Sequence, residues 1–172
     1  MKQSSRNAEC RAAQEGPRLC LHTPALKELW FRQRLLADPA TMRYNHAWGG
    51  TIDFPEERWA AWYDHWVLHP EGKRFYRYAA ELPERRFVGE TAFHWDEARA
   101  IWCADVIILA EYRRRGYGRA ALRLLCDAAR ENGVELLRDD IAIDNPAARM
   151  FLAEGFVEEY RTEEFVMLKK EL

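Results

Sequence analysis

The stretch that most limits how this chain folds is Arg113-Arg114-Arg115-Gly116-Tyr117-Gly118. Before it comes Val106-Ile107-Ile108-Leu109, a run with the length and β-branched content of a buried strand. After it, Ala121, Leu122, Leu125, Ala128 and Ala129 recur at helical spacing. A strand, a tight glycine turn and a helix must therefore follow one another. Such a turn leaves backbone N–H groups free at the helix N-terminus, where the helix dipole favours an anion. Arginines add charge and a fork that fits phosphate. The physical reading is a pyrophosphate cradle built from Arg113 to Gly118.

Two common phosphate loops do not fit. A P-loop requires Gly-x-x-x-x-Gly-Lys followed by Ser or Thr, and the chain has no such run. The dinucleotide fingerprint requires a third glycine where this chain has Ala121. The spacing Arg113-x-x-Gly116-x-Gly118 resembles instead the acyl-CoA pyrophosphate loop of the GNAT superfamily of N-acetyltransferases. A second segment strengthens the likeness. Asn145 suits an N-cap, Pro146 the first helical position, and Gly155 a helix end before Phe156. That order is similar to the family's Asn, short helix and Gly-Phe. The specific motifs cover roughly residues 86–172. From 19 to 81 the likeness rests on element order.

The fold expected is α/β: a mixed, twisted sheet of six or seven strands flanked by about four helices, with a splayed parallel strand pair. Strands are expected at 18–22, 74–80, 86–95, 100–109, 135–143, 156–160 and 164–170. Helices are expected at 24–37, 55–68, 118–132 and 146–154, with an aromatic loop at 44–53. A length of 172 residues suits one domain, 18–172, after a disordered lead-in at 1–17. A net charge of −2 carries no nucleic-acid signal. No stretch approaches the ~20 apolar residues of a membrane span. Cys10, Cys20, Cys103 and Cys126 show no metal or redox spacing, which suits the cytoplasm and no metal. A homodimer is left open.

The resemblance implies acetyl-CoA as co-substrate. Its pantetheine arm would enter the splayed pair and bond the backbone of Val106 and Ile108. Arg113, Arg114, Arg115, Gly116, Tyr117 and Gly118 would hold the pyrophosphate, and Asn145, Ala148 and Phe151 would complete the cofactor side. The attacking amine must lose a proton. Asp105, set in an otherwise apolar strand, Asp140 in the neighbouring acidic strand, and Glu90 are the candidate bases, although an ion-pair role for such acids is also open. His94 reads as a strand-end histidine. Many family members place a Tyr in the short helix to protonate the leaving thiolate. Here the position is Phe151 counted back from Gly155, or Leu152 counted forward from Asn145, and neither can donate.

Tyr44, His46 and Trp48 fall in the connection that covers the acceptor in the family. The stripe Trp59, Trp62, Tyr63 and Trp66 reads mostly as core, with one or two rings left to wall the acceptor pocket. Aromatic walls with nearby acids suit a cationic amine. The expected function is N-acyl transfer, by direct attack, from acetyl-CoA to a primary amine of a small molecule. Acetylation of a protein N-terminus or lysine, and acyl-CoA binding without turnover, are the alternatives.

Overall fold

The computed structural model describes residues 16–172. Residues 1–15, most of the expected lead-in, lie outside the described residues. Seven strands form one sheet in the order β1 (Leu19–His22), β2 (Arg74–Glu81), β3 (Arg86–Asp96), β4 (Ile101–Ile108), β5 (Leu136–Ala142), β7 (Phe165–Glu171), β6 (Val157–Arg161). Every neighbouring pair is antiparallel except β4 and β5. A parallel pair needs a crossover. Here it is helix α3 (Tyr117–Glu131), which follows the glycine turn as the sequence predicts.

Two apolar layers cover the sheet. On one face α3 and α4 (Ala147–Ala153) pack Leu122, Leu125, Ala129 and Phe151 against Ala104, Leu137, Ile141 and Leu168. On the other face α1 (Trp30–Ala37) and the Trp-rich segment pack on Tyr76, Tyr78, Ala92 and Leu109. The long first helix expected at 24–37 is instead a 3-10 turn, Leu26–Glu28, followed by α1. The helix expected at 55–68 changes pitch twice: a 3-10 turn (Glu56–Arg58), α2 (Trp59–Tyr63) and a π turn (Asp64–Leu68). Wide indole rings crowd one side of a short helix, and these pitch changes bring Trp62 and Trp66 onto Tyr76. The aromatic loop contains a 3-10 helix, Arg43–Trp48.

One irregularity sets which side chains reach which face. Ala79 pairs with Gly89 but Ala80 pairs with Phe87, so Val88 is an extra residue. This bulge lets Phe87 join the α1 layer and Val88 the α3 layer, and it then sends Glu90 and Ala92 to the α1 side. The bulge depends on Gly89. A Cβ there would collide with the carbonyl oxygen of Ile107 and with the Ile108 side chain. Gly89→Ala should therefore cost about 1–3 kcal/mol, the range for over-packing. Chemical denaturation checks it; an unchanged midpoint would mean that β3 and β4 part easily at this point.

Candidate functional site

The site begins where the parallel ladder stops. β4 and β5 pair only at Trp102–Leu137 and Cys103–Arg138. Beyond Cys103 the two strands separate. β4 remains paired to β3 through Ile108, and Leu109 N–H still bonds Val88 O. In an antiparallel ladder, alternate residues bond the partner and the rest turn their backbone groups the other way. Leu109 bonds β3, so Val106 and Ile108, beyond the last parallel rung, turn their N–H and C=O groups to the opening. Ile143 N–H bonds Glu164 O, just before β7, so Asp140 and Ala142 present theirs from the other bank. The opening is a wedge lined by unspent backbone groups.

The cradle lies at the C-terminal end of β4. Arg114 and Gly116 both have positive φ, 61° and 84°. For Gly116 that left-handed conformation is open to glycine at no steric cost. The N–H groups of residues 114–119 find no backbone acceptor among the described residues; the first to do so is Ala120, on Gly116 O. Together with the dipole of α3 they form an anion-binding concavity. Arg114 and Arg115 are exposed and free to reach an anion. Arg113 is not: its guanidinium donates to Ala40 O, at 3.0 Å, and to Thr41 O. The side chain of Tyr117 is also committed, buried with its hydroxyl donating to Glu81. These two residues hold the loop, and Tyr117 can offer a ligand its N–H alone. Gly118 sits where a Cβ would touch Met150 of α4, 3.2 Å from its sulfur.

On the α4 side, the Asn145 side chain accepts from Ala147 N–H at 2.9 Å and fixes the helix start. Ala148 is half-buried beside the core. Phe151 lies within the core, 2% exposed, its ring 4.9 Å from that of Phe156. Leu152 is the exposed residue of the pair, at 48%. The register counted forward from Asn145 is thus the one whose side chain leaves the core.

The other face of the wedge receives Asp105, Asp140, Glu90 and His94. Glu90 is buried and bonded by Arg32 and by the Tyr76 hydroxyl. The Arg32 guanidinium lies over the rings of Phe54, Trp62 and Tyr76, at 5.3, 4.6 and 5.2 Å. Burial opposes the Arg32 charge, but Glu90 outweighs it and its pKa rises further. The aromatic cage is therefore filled by the protein's own cation. Asp140 is bonded by Arg99 at 2.7 Å. Asp105 is the open one, more than half exposed, with only His94 Nδ1 near it at 3.7 Å. That Nδ1 is buried and has no hydrogen-bond partner among the described residues. Cys103, across the strand from His94, has its thiol pushed by burial up to about 12, so it is no nucleophile near neutral pH.

A short segment roofs the wedge. It is tied at one end by Arg113 to Ala40 and Thr41, and at the other by His46 Nε2 to Asp144 Oδ1 at 3.0 Å. The His46 contact holds the Asp144 carboxyl below its usual range. Tyr44 lies between Arg43 and Arg113, and Trp48 packs against Phe165 at 6.2 Å. The three residues expected at the acceptor are thus brought to one strip over the sheet. Sequence reasoning missed Arg32, which sits 58 residues from Glu90, and missed the role of Thr41, whose hydroxyl accepts from Ala110 N–H.

Comparison with known proteins agrees with this geometry. A family model described as an acetyltransferase (GNAT) domain matches residues 18–155. The fold is similar to that of the spermidine N-acetyltransferase of Vibrio cholerae, solved with CoA and spermine: 17% identity, 89% of this chain and 95% of that one, TM-score 0.74. It is also similar to the ribosomal-protein-alanine N-acetyltransferase of Brucella melitensis: 20% identity, 90% and 100% of the chains, TM-score 0.69. A third is an acetyltransferase of Salmonella typhimurium solved with acetyl-CoA: 18% identity, 90% and 94%, TM-score 0.64. No curated protein sequence matches.

If Glu90 is half of a buried ion pair, Glu90→Gln leaves Arg32 charged and uncompensated and should cost about 3–5 kcal/mol of stability. Thermal and denaturant unfolding read this directly. A variant of normal stability would free Glu90 for another role.

Proposed function

The chain belongs to the GNAT acetyltransferase family, and on that premise we propose that it transfers acetyl from acetyl-CoA to a primary amine of a small molecule. The observation that carries the reading is the wedge continuous with the cradle: N–H groups at residues 114–119 with no backbone acceptor among the described residues at one end, and unspent backbone at Val106 and Ile108 along it. Arg114 and Arg115 suit the pyrophosphate and the backbone groups suit the amides of the pantetheine arm. The donor supplies an activated acetyl group. The protein's own part is to orient it and to polarise its carbonyl with preorganised N–H donors.

The amine approaches from the face opposite α3. Asp105 is the base best placed to take its proton, being exposed there and unpaired by any Arg or Lys among the described residues. His94 beside it can pass the proton on. Asp140 and Glu90 rank below it because Arg99 and Arg32 already occupy their carboxyl oxygens. Attack is direct, since the buried thiol of Cys103 offers no route to an acyl-enzyme. A roof pinned by Arg113 and His46 narrows the acceptor entrance, which favours a small amine over a folded protein's N-terminus. The relative from Vibrio cholerae carries spermine, a small polyamine, which supports the same class.

The test is a panel of primary amines and amine-terminated peptides offered with acetyl-CoA, with release of free thiol as the signal. Small amines should turn over and peptides should not; the reverse pattern would transfer the assignment to protein acetylation. In the same assay Asp105→Asn should lower turnover by ~10²-fold. Replacing exposed Arg114 and Arg115 together by Ala should weaken CoA binding at least tenfold, about 1.4 kcal/mol, and flatten its salt dependence. Calorimetry at two salt concentrations shows whether it does; equal affinity would move the pyrophosphate elsewhere.

A further inference from the structure

One carboxylate at the parting of β4 and β5 has no role above. Asp139 directly follows Arg138, the last β5 residue in the parallel ladder. Its neighbours two residues away, Leu137 and Ile141, both sit in the α3/α4 core, so strand alternation turns Asp139 to that face. It is the face on which α3 and its cradle lie. Opposite Asp139 on β7 is Leu168, 1% exposed. α3 and α4 present Leu122, Leu125, Cys126, Ala148 and Phe151 to this layer, and burial raises the pKa of the one titratable group among them, the Cys126 thiol. The cations nearby in sequence look elsewhere: Arg138 and Lys169 both bond Glu159. Asp140 has Arg99, Asp144 has His46 and Asp105 has His94. Asp139 alone among these acids has no partner among the described residues. Burial first, then repulsion from Asp105 and Asp140, holds its carboxyl well above the usual carboxylate range.

A half-buried acid with no partner among the described residues thus sits at the apex of the wedge, on the side of the sheet where α3 and its cradle lie. We propose that Asp139 is the acid that protonates the departing sulfur of CoA. The inference rests on the acetyl-CoA reading. The amine nitrogen forms its bond to the carbonyl carbon, and the C–S bond breaks with its electron pair passing to sulfur. Asp139 gives its proton to that sulfur, which leaves as the thiol, and Asp139 is left as a carboxylate. The surplus proton of the amine leaves on the opposite face, toward Asp105. Asp139 regains a proton from water once the products have gone. The short helix offers no such donor, since Phe151 and Leu152 carry no acidic hydrogen.

Asp139→Asn keeps size and polarity but cannot give up a proton. Hydroxylamine, a small nucleophile that needs no specific acceptor pocket, serves as acceptor. Transfer should fall ~10²-fold at saturating acetyl-CoA, with CoA affinity by calorimetry unchanged within about threefold. Infrared spectra of the wild-type CoA complex, followed with pH, should show the carbonyl band of a neutral carboxylic acid persisting above the usual carboxylate range, absent from the variant. The variant should also gain stability over the wild type as pH rises. An Asp with a raised folded pKa loses native stability as the pH climbs from its unfolded to its folded value, so the gain is small in acid and grows with pH. A variant that binds CoA and transfers at the wild-type rate overturns the proposal. So does a wild type without the infrared band, which decides the matter even if hydroxylamine is not acylated. Loss of CoA binding by the wild type itself would instead defeat the acetyl-CoA reading, and the proposal with it.

Discussion

Two neighbouring strands of one sheet stop pairing after two residues, and the rest of the molecule is organised around that break. Unpaired backbone in the middle of a sheet is costly unless something else takes its hydrogen bonds. Here each bank is held from behind. β4 is tied to β3 over eight residue pairs and β5 to β7 over seven. The bulge at Val88–Gly89 fixes how β3 presents itself to β4. The crossover α3 spans the break on one face and the segment tied by Arg113 and His46 spans it on the other. Closing the gap would also crowd the Asp139 carboxyl against Asp105 and Asp140, whose proximity already raises its pKa. The backbone groups therefore remain open to a ligand's amides.

Charge in the site is sorted by face. On the acceptor face most acids are already answered: Glu90 by Arg32, Asp140 by Arg99, Asp144 by His46. Among the described residues, what remains is Asp105, beside a histidine nitrogen with no hydrogen bond. On the other face Asp139 has no partner among the described residues, and burial raises its pKa. The cage of Phe54, Trp62 and Tyr76 is filled by Arg32, the protein's own cation, and so braces the sheet.

The cradle, the order of strands and the parallel pair were legible because they depend on local signals: a run of β-branched residues, glycines at fixed offsets, an apolar helical period, an Asn-Pro helix start. The seven-strand sheet matches that reading closely. The Trp stripe predicted one helix, but the spacing of rings does not reveal pitch, and three kinds of turn satisfy it. Arg113 read as a phosphate ligand because sequence shows charge and not which carbonyls the fold brings within reach. Glu90 and Arg32 are a pair only in three dimensions. Asp139 read only as one of several acids, with Asp140 and Asp144, crowding its strand beside Arg138. The face it points to follows from Leu137 and Ile141, and that alternation was readable; its lack of a partner was not.

The central claim is that the wedge and the cradle form one binding surface for acetyl-CoA. Amide hydrogen exchange with and without acetyl-CoA tests it most directly, because the free N–H groups are the proposed contacts. Acetyl-CoA should bring new protection at residues 106–108 and 114–119, with little change in β1 and β2. Protection confined to other elements, or none at saturating acetyl-CoA, would contradict it.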